Sequence, residues 1–300
     1  MALSRLVRKQ KKTSSAKELI EAAMRQAVGE MAPMRPDDWI RISSLGALCP
    51  REQVLRARFN VPKKVGISPD LGFTFEFGHD VHYMMQNKVM PATGKIVGSW
   101  RCVWCGEVYG SIRGEGLVPR PDRCIRCGGI AGEQTRVNNR PIEHERSESF
   151  VFVEEWVGNY EHMIGGSPDG YFVDGDPKSF TPNDVVILEF KGAADGTYVK
   201  FEKAPDFMHV IQSQCYMWIT GFKRTKIIYI NKGNTGLDGI AEHDVVYDPE
   251  TITMVTNAVK EIRTGLAGGP VPRREACGDP GCPRAKACDV SKQCFSGDFK

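Results

Sequence analysis

Apolar residues recur at helical spacing early in the chain and at strand spacing through its middle. Residues 16–29, AKELIEAAMRQAVG, predict a short amphipathic helix closed by Gly29, and Pro33 and Pro36 mark a connection. Residues 49–59, CPREQVLRARF, predict a helix with Pro50 in its first turn. A longer helix is expected over residues 72–91. From about 148 to 192 the pattern changes to β-rich runs, SESFVFVEEWV, EHMIGGSPDGYFV and DVVILEFKG, separated by turn residues. Residues 206–221 predict a helix ended by Gly221. KRTKIIYI and EHDVVYD follow as strands, and PETITMVTNAVKEIRTGL as a helix. The expected order is α-β-β-β-α-β with a closing helix, an α/β fold.

Composition narrows the class. Across 300 residues, 41% are hydrophobic and 26% charged, ordinary globular usage. The net charge of +3 names no partner. No apolar run approaches the roughly 18 residues of a membrane span. The start, MALSRLVRKQKKTSSAK, is basic without an apolar core, so it does not read as a secretory signal. It reads as a solvated terminus or as an arm touching phosphates. Ten cysteines are the unusual feature. At tight spacings and without an export signal, they point to metal rather than disulfides. A membrane protein and a secreted disulfide scaffold are thereby excluded, and an intracellular, cytoplasmic metalloprotein is expected.

The cysteines fall into two groups. Cys102-x2-Cys105 and Cys124-x2-Cys127 are two knuckles 18 residues apart, each followed by glycine (Gly106, Gly128) that is expected to turn the backbone towards a thiolate. Four soft thiolates at this spacing suit a closed structural zinc site. Arg101, Arg113, Arg120, Arg123 and Arg126 surround it, as a phosphate-contacting or simply solvated surface. The second group, Cys277-x4-Cys282-x5-Cys288-x5-Cys294, is too irregular for a zinc ribbon. Four separated thiolates also hold iron–sulfur clusters. Cys49, Cys277, Cys282 and Cys288 are expected to ligate a [4Fe–4S] cluster that pins the helix opened by Cys49 to the tail. The four C-terminal cysteines, Cys294 included, are the alternative set, and zinc the alternative metal. Cys215, inside an apolar helix, reads as a core residue.

A third constellation carries chemistry. The turn Gly-Ser-Pro-Asp169-Gly precedes the apolar run ILE189-F-K191 by twenty residues. Residues two apart in a strand share a face, so Glu189 and Lys191 point together while Leu188 and Phe190 point to the core. On its own such a pair reads as an ion pair at a sheet edge. With Asp169 it becomes two carboxylates able to hold a hard divalent cation, and a lysine able to orient the attacking water. Gln212 and Tyr216, four apart on one helix face, are expected to contact phosphate or water beside it. His82, four after Gly78, completes the set; Gly78 would permit a close backbone approach, and His79 offers the other face.

These residues resemble the PD-(D/E)xK nuclease superfamily. Asp169, Glu189-Phe-Lys191 and Gln212-x3-Tyr216 resemble its RecB-like and lambda-exonuclease/YqaJ branches. Cys49-Pro-Arg near the start and Cys282-x5-Cys288 near the end resemble the iron–sulfur exonucleases, the AddB nuclease domain and the CRISPR-associated RecB-like exonucleases. Gly78-x3-His82 resembles their first motif, whose histidine is a metal ligand. The likeness spans roughly residues 40–295 outside the zinc module. Three departures stand: four residues rather than two separate Cys277 from Cys282, Cys294 is extra, and the zinc module is an addition to the family pattern.

The resemblance implies a PD-(D/E)xK core, a mixed central sheet flanked by helices, with an iron–sulfur-tied tail; the cysteine spacing adds an inserted zinc-ribbon-like module. Its parts would be an N-terminal extension (1–38), a helical part (39–98), the zinc module (99–134), the nuclease core (135–267) and the Cys-rich segment (268–300). His82, Asp169 and Glu189, with the Phe190 carbonyl, would hold one or two Mg²⁺ or Mn²⁺. Lys191 would position the water, and Gln212 and Tyr216 the scissile strand. The expected activity is a metal-dependent exonuclease on linear or single-stranded DNA, in recombination, repair, replication or CRISPR-type processing, in a bacterial or phage-infected cell. No GxxxxGK[ST] motif is present, so a helicase, recombinase or CRISPR integration protein would be a separate chain. The alternatives are a catalytically inactive DNA-binding scaffold and a structure-specific endonuclease.

Overall fold

The computed structural model describes residues 39–46, 49–61, 69–114, 116–128, 135–137, 140–142, 149–234, 236–275 and 277–296. The basic N-terminal segment and the helix expected at 16–29 lie outside the described residues.

Strand β1 (Ile40–Arg41) runs into a single turn, α1 (Ile42–Leu45). Helix α2 (Pro50–Arg58) has Pro50 at its start, where a backbone N–H would have no helical acceptor. Helix α3 (Pro69–Met84) continues into a π-helical turn at Met85–Val89 and a last turn at Met90–Ala92. Then come β2 (Ile96–Cys102), β3 (Val108–Tyr109), β4 (Val118–Pro119), β5 (Thr135–Val137) and β6 (Arg140–Ile142). The span expected to hold strands contains β7 (Phe150–Val153), β8 (Val157–Asn159), β9 (Ile164–Gly166), β10 (Gly170–Val173) and β11 (Val185–Ala193). Helices α4 (Asp195–Phe201) and α5 (Phe207–Thr220) lead to β12 (Arg224–Asn231) and β13 (Ile240–Val246). Helix α6 (Pro249–Leu266) and two short helices, α7 (Pro283–Ala287) and α8 (Ser291–Phe295), close the chain.

Local chemistry sets these boundaries. The Asp206 carboxylate accepts from the Met208 N–H at 2.8 Å and starts α5, and Gly221, at φ 81°, ends it in the left-handed conformation. Asp248 caps α6 in the same way, with Pro249 next.

The main sheet is mixed, in the order β13-β12-β11-β10-β2-β3, with β4 and β7 also paired to β2. Strands β11 and β12 are parallel, joined through α4 and α5, and the other pairs are antiparallel. A smaller sheet, β1-β9-β8, ties the start of the described chain to the strand before Asp169. Strand β2 is absent from the sequence expectation. It is buried almost throughout, so it lacks the polar alternation that marks a half-exposed strand. At its Gly98 an added Cβ would collide with the Phe152 ring.

Two apolar layers cover β11. Leu188 and Phe190 pack with Ile228 against Val81 and Met85 of α3 and the π turn. Ile187 packs in the larger core with Ile227, Tyr229 and Ile211 of α5. Glu189 and Lys191 share the face of Ile187, so the period of two carries a buried carboxylate and a lysine beneath α5. Among the described residues, no helix is long and apolar enough to cross a membrane.

Candidate active site

Gly170 of β10 lies opposite Leu188 of β11, so the residue before β10 arrives beside the middle of β11. That residue is Asp169. Its Oδ2 accepts the Phe190 backbone N–H at 2.6 Å. Asp169 and Glu189 are both buried, at 6% and 1% exposure. Lys191 Nζ pairs with Glu189 Oε1, and Gln212 Nε2 donates to the same oxygen at 2.6 Å. Glu189 Oε2 is buried and has no hydrogen-bond partner. Burial, then the charge of Asp169, push the Glu189 carboxyl up to about 7 against the opposing pull of Lys191. Burial lowers the Lys191 pKa, but the Glu189 and Asp169 charges outweigh it and the net shift is upward, so the amine is an ammonium at neutral pH.

His82 reaches this pair from α3, with Nδ1 at 3.4 Å from Asp169 Oδ1 and its ring edge-on to Phe190. Burial lowers its pKa, but the hydrogen bond and charge of Asp169 more than offset this, and the imidazole is raised overall. His79 faces elsewhere, mostly exposed and 3.8 Å from Glu76. The close approach expected at Gly78 is not found: among the described residues, a Cβ there would meet nothing within 4 Å.

Gln212 and Tyr216 share the inner face of α5, both buried. Gln212 holds Glu189; the Tyr216 hydroxyl donates to the Ser167 carbonyl at 2.9 Å, in the turn that carries Asp169. The tyrosine crosses Gly166, where a Cβ would stand 2.8 Å from the hydroxyl oxygen.

Two further residues are not evident from sequence. Glu154, just after β7, has a carboxylate oxygen within 4.8 Å of ligand atoms of both His82 and Asp169. Gln86, buried in the π turn, donates to Glu154 Oε1 at 2.6 Å and to the Asp169 carbonyl at 2.7 Å. The only sequence signal is that Gln86 lies four after His82, on the same helix face. His209, one turn before Gln212, is held down to about 4 by burial and the nearby Lys191 charge.

The donors fit a hard or borderline divalent cation. They are carboxylate oxygens and one imidazole, the set that suits Mg²⁺ or Mn²⁺. The unpartnered Glu189 Oε2 is the decisive fit, because a buried carboxylate oxygen without a donor is costly until something cationic meets it.

Cys102, Cys105, Cys124 and Cys127 converge. Cys102 and Cys127 sulfurs are 3.8 Å apart and Cys105 and Cys124 sulfurs 3.6 Å. Sulfurs around a tetrahedral zinc at about 2.3 Å stand about 3.8 Å apart, so these four could hold one metal ion. Gly106 and Gly128, at φ 76° and 68°, make matching turns. Their N–H groups donate to the Cys102 and Cys124 carbonyls, each at 2.9 Å, rather than to thiolates as expected. The N–H groups that reach sulfur belong to Glu107 and Cys127. The Tyr109 hydroxyl, 3.1 Å from the Cys124 sulfur, holds that thiol down to about 6. Of the surrounding arginines, Arg126 pairs with Glu107, Arg120 donates to the Phe150 carbonyl, and Arg113 to that of Trp156.

In the tail, Cys49, Cys277, Cys288 and Cys294 line one small cavity with Arg51 and Glu52. Cys282 is hydrogen-bonded to Cys277, and its sulfur accepts the Ala285 N–H at 3.3 Å. Arg51 Nε donates to the Cys294 sulfur at 3.2 Å.

No family model matches the chain, and no curated protein matches it. Among solved structures, the chain is similar to SSO0001, at 12% identity over 92% of this chain and 96% of that one, with a TM-score of 0.43. It is also similar to an alkaline exonuclease from Laribacter hongkongensis, at 14% identity over 77% and 89% of the two chains, TM-score 0.40. A phage-related exonuclease from Haemophilus somnus 129PT matches at 14% identity over 77% and 94%, TM-score 0.37. At this level of overlap the likeness carries no residue assignments.

Proposed function

We propose that this chain is a metal-dependent deoxyribonuclease that hydrolyses phosphodiester bonds at the ends of linear or single-stranded DNA. The observation that carries the reading is the buried Asp169–Glu189 pair with a free carboxylate oxygen, flanked by a charged lysine and a histidine. His82, Asp169, Glu189 and the Phe190 carbonyl would hold Mg²⁺ or Mn²⁺. When bound, the cation would lower the pKa of a water and offset the charge developing on the phosphate. Lys191, an ammonium, would donate to the attacking water and aim its lone pair at phosphorus. The water oxygen bonds to phosphorus, the bond to one sugar oxygen breaks, and that oxygen takes up a proton. Gln212 holds Glu189 by hydrogen bond, and Tyr216 steadies the Asp169 turn; both are proposed to align the scissile strand through these contacts.

The four convergent thiols would hold structural zinc, with no open position for chemistry. Cys49, Cys277, Cys282 and Cys288, with Cys294 as the alternative ligand, would hold a [4Fe–4S] cluster clamping α2 to the tail; Cys49, Cys277, Cys288 and Cys294 line one cavity and Cys282 is hydrogen-bonded to Cys277, which supports this. The enzyme would work in the cytoplasm of a bacterium or phage-infected host, beside a separate helicase, recombinase or CRISPR integration protein.

The test is digestion of end-labelled linear DNA, single- and double-stranded, beside a closed circle, with Mg²⁺ or Mn²⁺. Loss of linear DNA alone, abolished by Lys191→Ala, is expected. Binding without cleavage in Mn²⁺ would sink the nuclease in favour of a DNA-binding scaffold, and cleavage of the circle would make it an endonuclease.

A further inference from the structure

We propose that Trp39, Trp156 and Tyr160, on the outer face of the small sheet, form a stacking platform for the bases of single-stranded DNA, with Arg41 and Arg113 beside it for the phosphates. The proposal rests on the nuclease reading above and names where its single strand would lie. The two faces of β1-β9-β8 differ. Ile164, Val157 and, from α1, Ile42 are buried in the main core, and at Gly166 the inner face meets the Tyr216 hydroxyl. Arg41 lies opposite Gly165, and Gly165 opposite Gly158, so these three share the outer face. The Trp156 indole lies across it: a Cβ on Gly158 or Gly165 would stand 2.3 or 2.1 Å from the ring. The two glycines are the space that the ring occupies.

Trp39 and Tyr160 pack edge-on around that indole. Ring centroids are 4.6 Å apart for Trp39 and Trp156, 5.2 Å for Trp39 and Tyr160, and 6.4 Å for Trp156 and Tyr160, with interplanar angles of 79°, 85° and 76°. No two of these rings are parallel, and Tyr160 is 71% exposed. Among the described residues, none of the three joins either apolar core, so core packing does not account for them. A ring face open to water fits a flat apolar guest. Every nucleobase has such a face, and an unpaired strand can turn it outward, which is how proteins hold single strands without reading their sequence.

The cations and the position agree with a nucleic-acid strand. Ser111 Oγ and the Ile112 N–H donate to the Glu155 carboxylate at 2.7 and 2.6 Å. The next residue, Arg113, donates to the Trp156 carbonyl and lays its guanidinium 5.1 Å from the indole centroid. The four-cysteine module thus delivers a guanidinium to the platform and occupies the acid beside it. Arg41 and Arg113 are both exposed, and a strand carries one negative charge per phosphate for them to meet. Glu154, two residues before Trp156, has its carboxylate near His82 and Asp169, and Gly165 is four residues before Asp169. Both segments that build the platform run directly into the active site.

The experiment is equilibrium binding of dye-labelled oligo-dT, and of an abasic strand with the same number of phosphates, to the full chain as purified. Fluorescence anisotropy is read without added divalent cation, so that the strand is not cut. Wild type should bind oligo-dT about 5–100-fold more tightly than the abasic strand, the range for stacking of one base on an aromatic ring. Tyr160→Ala and Trp39→Leu should each lose most of that difference, with abasic binding unchanged, and Tyr160→Ala should keep the wild-type melting temperature. Arg41→Gln should weaken both strands alike. Equal affinity of wild type for the two strands overturns the platform, and so does wild-type binding of oligo-dT by both aromatic variants. Tighter binding of oligo-U than of oligo-dT overturns DNA as the occupant. Cleavage of end-labelled DNA in Mn²⁺ is scored separately. Cleavage without base-dependent binding overturns the platform and leaves the nuclease standing; base-dependent binding without cleavage does the reverse.

Discussion

The Phe190 N–H and the Asp169 carboxylate are joined by a 2.6 Å hydrogen bond that crosses from one strand to the turn before its neighbour. That bond fixes Asp169 beside Glu189, and two buried carboxylates at such range resist ionising together. Burial first, and the Asp169 charge second, raise Glu189 from 4.5 to about 7 in the protein without a bound divalent cation. A carboxyl raised on folding stabilises most when protonated. Its contribution is complete below pH 4.5 and is lost as pH climbs through 7. His82, also raised, shifts stability in the same direction. The melting temperature of protein with no Mg²⁺ or Mn²⁺ should thus fall between about pH 5 and pH 8. Glu189→Gln should flatten that slope, and added Mn²⁺ should restore the wild-type value at the alkaline end. A wild-type slope of the opposite sign would refute the carboxylate-pair account.

Lys191 makes the next prediction. Its ammonium is paired with Glu189 and is well placed to orient water, but α5 and β12 would still pack without it. Lys191→Met keeps the aliphatic volume and removes the charge. Turnover should drop by about 10²–10³-fold, the range for loss of one preorganised donor at the reacting centre. Far-ultraviolet circular dichroism should be unchanged. Retained turnover in this variant would move the water-orienting role to another side chain.

Tyr216 acts through the backbone. Removing its hydroxyl leaves the Ser167 carbonyl without that donor in a closely packed turn. Tyr216→Phe should cost about 1–3 kcal/mol of unfolding free energy, measured by denaturant titration. It should lower kcat more than KM, because Asp169 sits two residues along the turn from Ser167. Equal loss in both would make Tyr216 a strand-binding residue.

How much of this was readable in advance depended on the range of each contact. The strand holding Glu189 and Lys191 could be read from its period of two, and α5 from Asp206, Gly221 and the four-residue step from Gln212 to Tyr216. These are local signals. Glu154 follows a short strand and looks like a surface acid; only the sheet and α3 bring it near His82 and Asp169. Gln86 gains its meaning from a π turn, which no local pattern announces. Strand β2 hides because burial on both faces erases the alternation that would reveal it.

The tail predicts an iron-dependent loss of structure. Arg51 of α2 bonds the Cys294 sulfur and the carbonyls of Pro272 and Cys294, so α2 and the tail already meet before any metal is counted. A cluster ligated from both sides would close that clamp. Cys288→Ala should lower iron content, solubility and nuclease activity together, followed by metal analysis and visible absorbance. Full activity without iron would remove the clamp role.

The four-cysteine module meets the core along β2, to which β3 and β4 from between the knuckles pair, and through Ser111 and Ile112, which donate to the Glu155 carboxylate. Cys102 is the last residue of β2, and Val97 in the same strand pairs with Tyr171 of β10, one residue from the start of the strand after Asp169. The short segment between the knuckles has little core of its own, so its folding energy would come from the metal. Cys124 is buried and receives the Tyr109 hydroxyl, so a hydroxymethyl group there loses both the ligand and the contact. Cys124→Ser should release one zinc per chain, measured by metal analysis. Hydrogen exchange should rise first at residues 102–127 and then along β2, with β11 and β12 protected. Exchange that spreads to β11 as fast as to β2 would make zinc a support of the whole sheet; a variant that keeps its zinc would exclude Cys124 as a ligand.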